Sequence, residues 1–220
     1  ALLLTLFVRR ELADSEPMLE FRVFRRRSYA VSVAIVGLLN GALFAVVYFV
    51  PFYLQTVHGM SALSAGMTML PSSVVMVLLL PFVGKLNAKW GPLRLSAFGI
   101  AVTAIATGML AALSETTGQA EIVLWTVLRN VGLSFSSMPL LFAGLSGMEE
   151  RLVGHASAMT NWVRQCMGAM AVAILTTVYA WRTPEGADAA AVTGGVGHVF
   201  GIVAVAIACT LPALALLVRR

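Results

Sequence analysis

Two arginines interrupt otherwise apolar stretches, Arg129 and Arg164. A guanidinium inside a bilayer costs at least about 2.5 kcal/mol on insertion scales, so each needs partners or a use. At 1.5 Å per helical residue, Arg129 lies about 10 Å and Arg164 about 15 Å from the nearer end of its run. Two roles fit. One is a structural donor to backbone carbonyls freed by proline or by unwound turns. The other is contact with a substrate, or control of a distant carboxylate's proton affinity. Polar residues accompany each arginine at helical spacing. Asn130, Ser134 and Ser137 recur at i, i+4 and i+7, as do Asn161, Gln165 and Gly168. Each set forms one face that avoids lipid, either packing on another helix through hydrogen bonds or lining a cavity.

Asn40, Phe44 and Tyr48 form a third set, an amide and aromatic face able to stack on an amphiphilic molecule. Gly37 and Gly41 beside them spell a close-packing motif, which makes the aromatics filler on the alternative reading. Met67, Met69, Met76, Met167 and Met170 supply either a pliable wall or ordinary packing. No catalytic residue, cofactor or metal is expected, since Cys166 and Cys209 fall singly in apolar runs without ligand spacing. His58, His155 and His198 are expected at the edges of runs, and no Asp or Glu falls inside one. Gly144-Leu-Ser146-Gly147 matches the Gly-x-Ser-Gly pattern of six-helix intramembrane serine proteases. A nucleophile and its base must meet within about 3 Å, whereas Ser146 and His198 are expected at opposite faces, with His155 on a loop, which argues against an enzyme.

The elements that must position these residues follow from composition. Hydrophobic residues make up 59% and charged residues 11% of 220, half the charge of an average soluble domain. Runs over about 28–57, 63–84, 95–114, 122–147, 152–181 and 199–218 are long enough to cross a bilayer once each. The fold class expected is an all-α membrane protein, a six-transmembrane-helix bundle. Pro51, Pro71, Pro81 and Pro139 can kink these helices. The stretch from Arg182 to His198, rich in Gly with Pro184, reads as an irregular connection. Residues 1–8, apolar and too short to span, read as the end of a preceding transmembrane helix in a chain that starts inside it. Residues 9–27 read as a cytoplasmic linker. Net charge of +5 suggests a nucleic-acid partner only if the basic residues share one wet surface, and they are instead dealt out between apolar runs. Arg9, Arg10, Arg22, Arg25, Arg26, Arg27, Lys85, Lys89, Arg94, Arg151, Arg219 and Arg220 fall on one side and Arg182 alone on the other. The positive-inside rule makes the first side, with both ends of the six-helix unit, cytoplasmic.

Gly84-Lys-Leu-Asn-Ala-Lys-Trp-Gly91-Pro-Leu-Arg94 resembles the Gly-x-x-x-Asp-Arg-x-Gly-x-x-Arg loop signature of the major facilitator superfamily, in its weaker C-terminal copy. Gly84, Lys89, Gly91 and Arg94 match, and Ala88 replaces the acidic residue. Phe7-Val-Arg-Arg-Glu11, Val50-Pro-Phe-Tyr-Leu-Gln55, Ser61-Ala-Leu-Ser-Ala-Gly66, Arg129-Asn-Val-Gly132 and Asn161-Trp-Val-Arg-Gln165 are similar to the fourteen-helix drug/proton antiporter branch. The resemblance implies the C-terminal half of a major facilitator fold, 28–220, built from two three-helix repeats. It also implies a proton-coupled multidrug or antibiotic exporter working by alternating access in a bacterial inner membrane. Its partners would be an N-terminal half, a small amphiphilic substrate and the lipid bilayer. A non-transporting membrane scaffold subunit is the alternative.

Overall fold

The computed structural model describes residues 21–184 and 186–218. The expected helix end at 1–8 and most of the linker at 9–27 lie outside the described residues. A short 3-10 turn, Phe21–Arg25, leads into seven α-helices: α1 Arg27–Thr56, α2 Ala62–Trp90, α3 Pro92–Ala111, α4 Gln119–Leu145, α5 Glu150–Arg182, α6 Ala189–Ala208 and α7 Thr210–Val218. Five stretches are long and apolar enough to cross a membrane: α1, α2, α3, α5, and α6 continued to Leu214. The remaining long helix, α4, carries Arg129, Asn130, Ser134, Ser136 and Ser137 in its interior, and it holds them buried or half-buried against α1, α2 and α3.

Local chemistry sets the boundaries. Ser61 caps α2, its Oγ accepting from the Ser64 amide at 3.2 Å. Gly91 ends α2 at φ 79° and ψ 155°, a region essentially reserved for glycine, and Pro92 then opens α3 at a position that needs no amide hydrogen. This gives the signature glycine a steric reason. Helices α1, α2 and α4 run on through Pro51, Pro71, Pro81 and Pro139 without interruption.

The last span departs from expectation. It starts at Ala189, not Val199, so the connection expected as far as His198 is much shorter. Asp188 Oδ1 accepts from the Ala191 amide at 3.0 Å and nucleates the helix. Two of the glycines that read as breakers, Gly195 and Gly197, are contact points: a Cβ on Gly195 would collide with Thr183 Oγ1, and one on Gly197 would stand 2.7 Å from the Ala111 carbonyl oxygen. His198 is therefore inside α6, and His155 is inside α5 and not on a loop. The span also breaks once, between Ala208 and Thr210, because Pro212 cannot donate to Ala208 and its ring crowds that carbonyl.

Helices α3 and α4 pack most intimately. A Cβ on Gly99 would lie 2.5 Å from the Gly132 carbonyl oxygen, and one on Gly132 2.6 Å from Thr103 Oγ1, so here backbone meets backbone. Helix α1 packs on α5 as α4 packs on α2, the correspondence that two three-helix repeats α1–α3 and α4–α6 require. Both α2 and α5 leave most of their apolar surface uncovered, with Val77, Leu78, Met170 and Ile174 more than half exposed.

Candidate functional site

Helices α1, α2, α4 and α5 meet around a cavity of about 120 Å³. Its polar lining is Asn40 from α1, Ser134 and Ser137 from α4, and Arg164 from α5. Val36, Leu43, Met76, Leu80, Leu133, Met138 and Leu141 make the rest of the wall apolar. A larger groove of about 680 Å³ lies between α3 and α6 beside Ala111 and His198, remote from both arginines.

Asn40 organises the cavity. Its Nδ2 donates to the Arg164 carbonyl oxygen at 2.7 Å, which fixes α1 to α5 and turns Oδ1 toward the guanidinium. Arg164 Nη2 reaches that oxygen at 3.4 Å, a long contact for a charged donor. Close packing makes this approach possible: a Cβ on Gly41 would sit 2.9 Å from Ala171 Cβ, and one on Gly168 3.0 Å from both Asn40 Nδ2 and the Phe44 ring.

An asparagine also joins α4 to α2, but here the arginine it accepts from is its own neighbour on α4 and not a residue of the facing helix. Asn130 Nδ2 donates to the Ser72 carbonyl oxygen at 3.2 Å, and Asn130 Oδ1 accepts from Arg129 Nη1 at 3.0 Å. The settings differ. Arg129 is 1% exposed, and its Nε and Nη2 have no partner among the described residues, whereas Arg164 is half-buried and lines the cavity. Ser134 donates within α4 to the Asn130 carbonyl oxygen at 2.9 Å.

Of the residues expected at a cavity, Asn40, Ser134 and Arg164 come together there. Arg129 and Asn130 sit buried in the α2–α4 seam. Phe44 packs on Gly168, and Tyr48, 47% exposed, stacks on Phe52 at 6.4 Å. Asn161 and Gln165 are exposed on α5 while Gly168 is buried, so that stripe is not one continuous packed face. Sequence reasoning missed Tyr29, whose hydroxyl donates to the Ala156 carbonyl oxygen at 2.7 Å and lies 3.1 Å from Thr160 Oγ1. A tyrosine two positions after the Arg25-Arg26-Arg27 run was the available signal. In the loop signature, Gly84 has open space where a Cβ would go, and Lys89 sits in the last turn of α2 where a cation complements the helix dipole. Arg94 is exposed in the first turn of α3. Ser146 follows the end of α4 opposite Gln119, whereas His198 lies level with Ala111 at the Gln119 end, so the two are at opposite ends of the bundle. Among the described residues no cluster of His, Cys, Asp and Glu has the makings of a metal site.

The family model described as Major Facilitator Superfamily matches residues 3–173. The chain is 34% identical over 183 residues to the uncharacterized MFS-type transporter YhcA of Bacillus subtilis (strain 168), a match covering 83% of this chain and 34% of YhcA. It is 29% identical over 175 residues to the lincomycin resistance protein LmrB of Listeria innocua, covering 80% and 37%. Against the multidrug export protein EmrB of Escherichia coli (strain K12) the identity is 26% over 173 residues, covering 78% and 34%. The chain thus spans little more than a third of the length of the curated relatives it matches. The packed apolar helices and a family match running from before α1 into α5 lead to one conclusion: this multi-pass membrane chain belongs to the major facilitator superfamily.

Proposed function

We propose that the chain is the C-terminal half of a proton-coupled exporter of drugs or antibiotics that works by alternating access. The observation that carries this reading is the cavity joining Asn40, Ser134, Ser137 and Arg164, flanked by two helices, α2 and α5, with large uncovered apolar surfaces. A cavity wall with bare flanks is what one half of a two-half transporter presents to the other. The partner is an N-terminal half of the same transporter, the medium is the lipid bilayer of the bacterial inner membrane, and both ends of 28–220 face the cytoplasm. The cargo is a small amphiphile, in keeping with relatives named for lincomycin resistance, tetracenomycin C resistance and export, and multidrug export.

None of the described carboxylates lies deeper than the first turn of a helix; Glu121 and Glu150 are in first turns and Glu115, Glu149 and Asp188 precede helices. A proton carrier embedded in the membrane therefore belongs to the other half on this reading. The full-length transporter, expressed in a strain stripped of its own efflux pumps, should raise resistance to at least one of lincomycin, tetracenomycin C and a set of fluorescent amphiphiles. A protonophore should abolish the gain. Unchanged resistance across the whole set at verified membrane expression defeats the exporter reading, and leaves the scaffold alternative.

A further inference from the structure

We infer that the cavity selects amphiphiles bearing an anionic group, with the Arg164 guanidinium as counter-charge. The inference rests on the transporter reading above and names its substrate class.

The cavity is rich in donors and poor in acceptors. Arg164 is its one charged lining residue, and of the five N–H donors of a guanidinium only one, on Nη2, has a partner among the described residues, at 3.4 Å. Asn40 offers no free choice, because Nδ2 is committed to the Arg164 carbonyl and Oδ1 must face the guanidinium. Ser134 spends its hydroxyl proton on the Asn130 carbonyl oxygen. Ser137 has no hydrogen-bond partner among the described residues, and its hydroxyl remains free to donate.

A half-buried cation in a hydrocarbon setting needs an acceptor of opposite charge, and the interior of the described helices supplies no carboxylate. A carboxylate from the cargo meets that need and accepts from the guanidinium in the bidentate geometry that makes such pairs strong. Met76, Leu80 and Met138 stand ready for the apolar body of the same molecule, with the pliability of methionine. A quaternary ammonium cargo would instead meet a like charge and, among the lining side chains, no acceptor but the neutral oxygens of Asn40, Ser134 and Ser137. The same carboxylate chemistry has a second source, an acidic residue of the N-terminal half, and the test separates the two.

The test is equilibrium binding to purified full-length transporter in nanodiscs, read as tryptophan-to-pyrene energy transfer with empty nanodiscs subtracted. The probes share one body: pyrenebutyrate, its methyl ester, and the corresponding pyrenylbutyl trimethylammonium. Charge-assisted pairing predicts at least about tenfold tighter binding of the butyrate than of either analogue. In Arg164→Gln the butyrate-to-ester ratio should fall below about twofold, and Arg164→Lys should keep part of it, as a point charge without the planar fork would. Each ratio comes from one preparation, so a loss of folded protein cancels. Equal binding of all three probes by the parent, or a ratio that Arg164→Gln leaves intact, overturns the inference. So does a preference for the ammonium probe, the outcome expected if a carboxylate of the other half already neutralises Arg164. Any of these alongside protonophore-sensitive drug resistance leaves the transporter reading standing; without that resistance both fall.

Discussion

Asn40 and Arg164, 124 positions apart in sequence, are joined twice, by an amide donating to a backbone carbonyl at 2.7 Å and by a guanidinium reaching the amide oxygen at 3.4 Å. The first bond fixes two helices; the second aims a charge. Asn40→Ala removes both and should lower stability by about 1 kcal/mol, the usual worth of such a bond between helices. Asn40→Asp keeps the oxygen and should hold the guanidinium more tightly while losing the bond to the carbonyl. Thermal unfolding in detergent is the check, and an unshifted midpoint in Asn40→Ala would remove Asn40 from the packing of α1 on α5.

Arg129 should behave in the opposite way to ordinary core residues. It is fully buried, holds one neighbouring amide oxygen, and leaves Nε and Nη2 without partners. Replacing such a group by an apolar one of similar length is often neutral or stabilising. Arg129→Met is therefore expected to hold or raise the unfolding temperature. A loss of more than about 3 kcal/mol, the lower end of the range for breaking a satisfied buried charge pair, would show that the guanidinium is better partnered than the described contacts allow.

Glycine-to-alanine changes should divide by position. Gly99→Ala and Gly132→Ala place a methyl group within 2.7 Å of facing backbone and should cut folded yield sharply, at a cost of about 1–3 kcal/mol or more. Gly154→Ala meets nothing within 4 Å and should gain about 0.5–1 kcal/mol from helix propensity. Fluorescence-detected size exclusion of the three variants would register the split; equal behaviour would refute the backbone-on-backbone packing.

Orientation has its own test. After Cys166 and Cys209 are replaced, single cysteines at Ser61, Thr117 and Ala189 should react with an impermeant maleimide on intact cells. Those at Asn87 and Glu149 should react only after permeabilisation. The reversed pattern overturns the cytoplasmic placement of both ends.

Apolar run length made the helices legible in the sequence, and the cost of buried charge singled out Arg129, Arg164 and their neighbours. Two features were hidden for physical reasons. Glycines at 195 and 197 carry opposite meanings in a loop and at a helix contact, and only Thr183 and Tyr179 opposite Gly195 and Ala111 opposite Gly197 decide between them. The pairing of Asn40 with Arg164, and of Asn130 with the Ser72 carbonyl, depends on helix register across the bundle, which spacing within one helix does not encode. That is also why Asn161 and Gln165, on the periodicity of Arg164's own helix, proved exposed while Arg164 lines the cavity.

The contact between Gly99 and Gly132 bears on motion as well as stability. One glycine belongs to each three-helix repeat, and where two backbones touch there is no rotamer to relax and no side chain to roll over. The repeats cannot slide along this seam by small steps; they must separate or stay together. On the alternating-access reading proposed above, a half built this way swings as a lever and does not bend, so the displacement that exchanges one opening for the other falls on its rim, along α2 and α5, where apolar side chains can trade one set of neighbours for another.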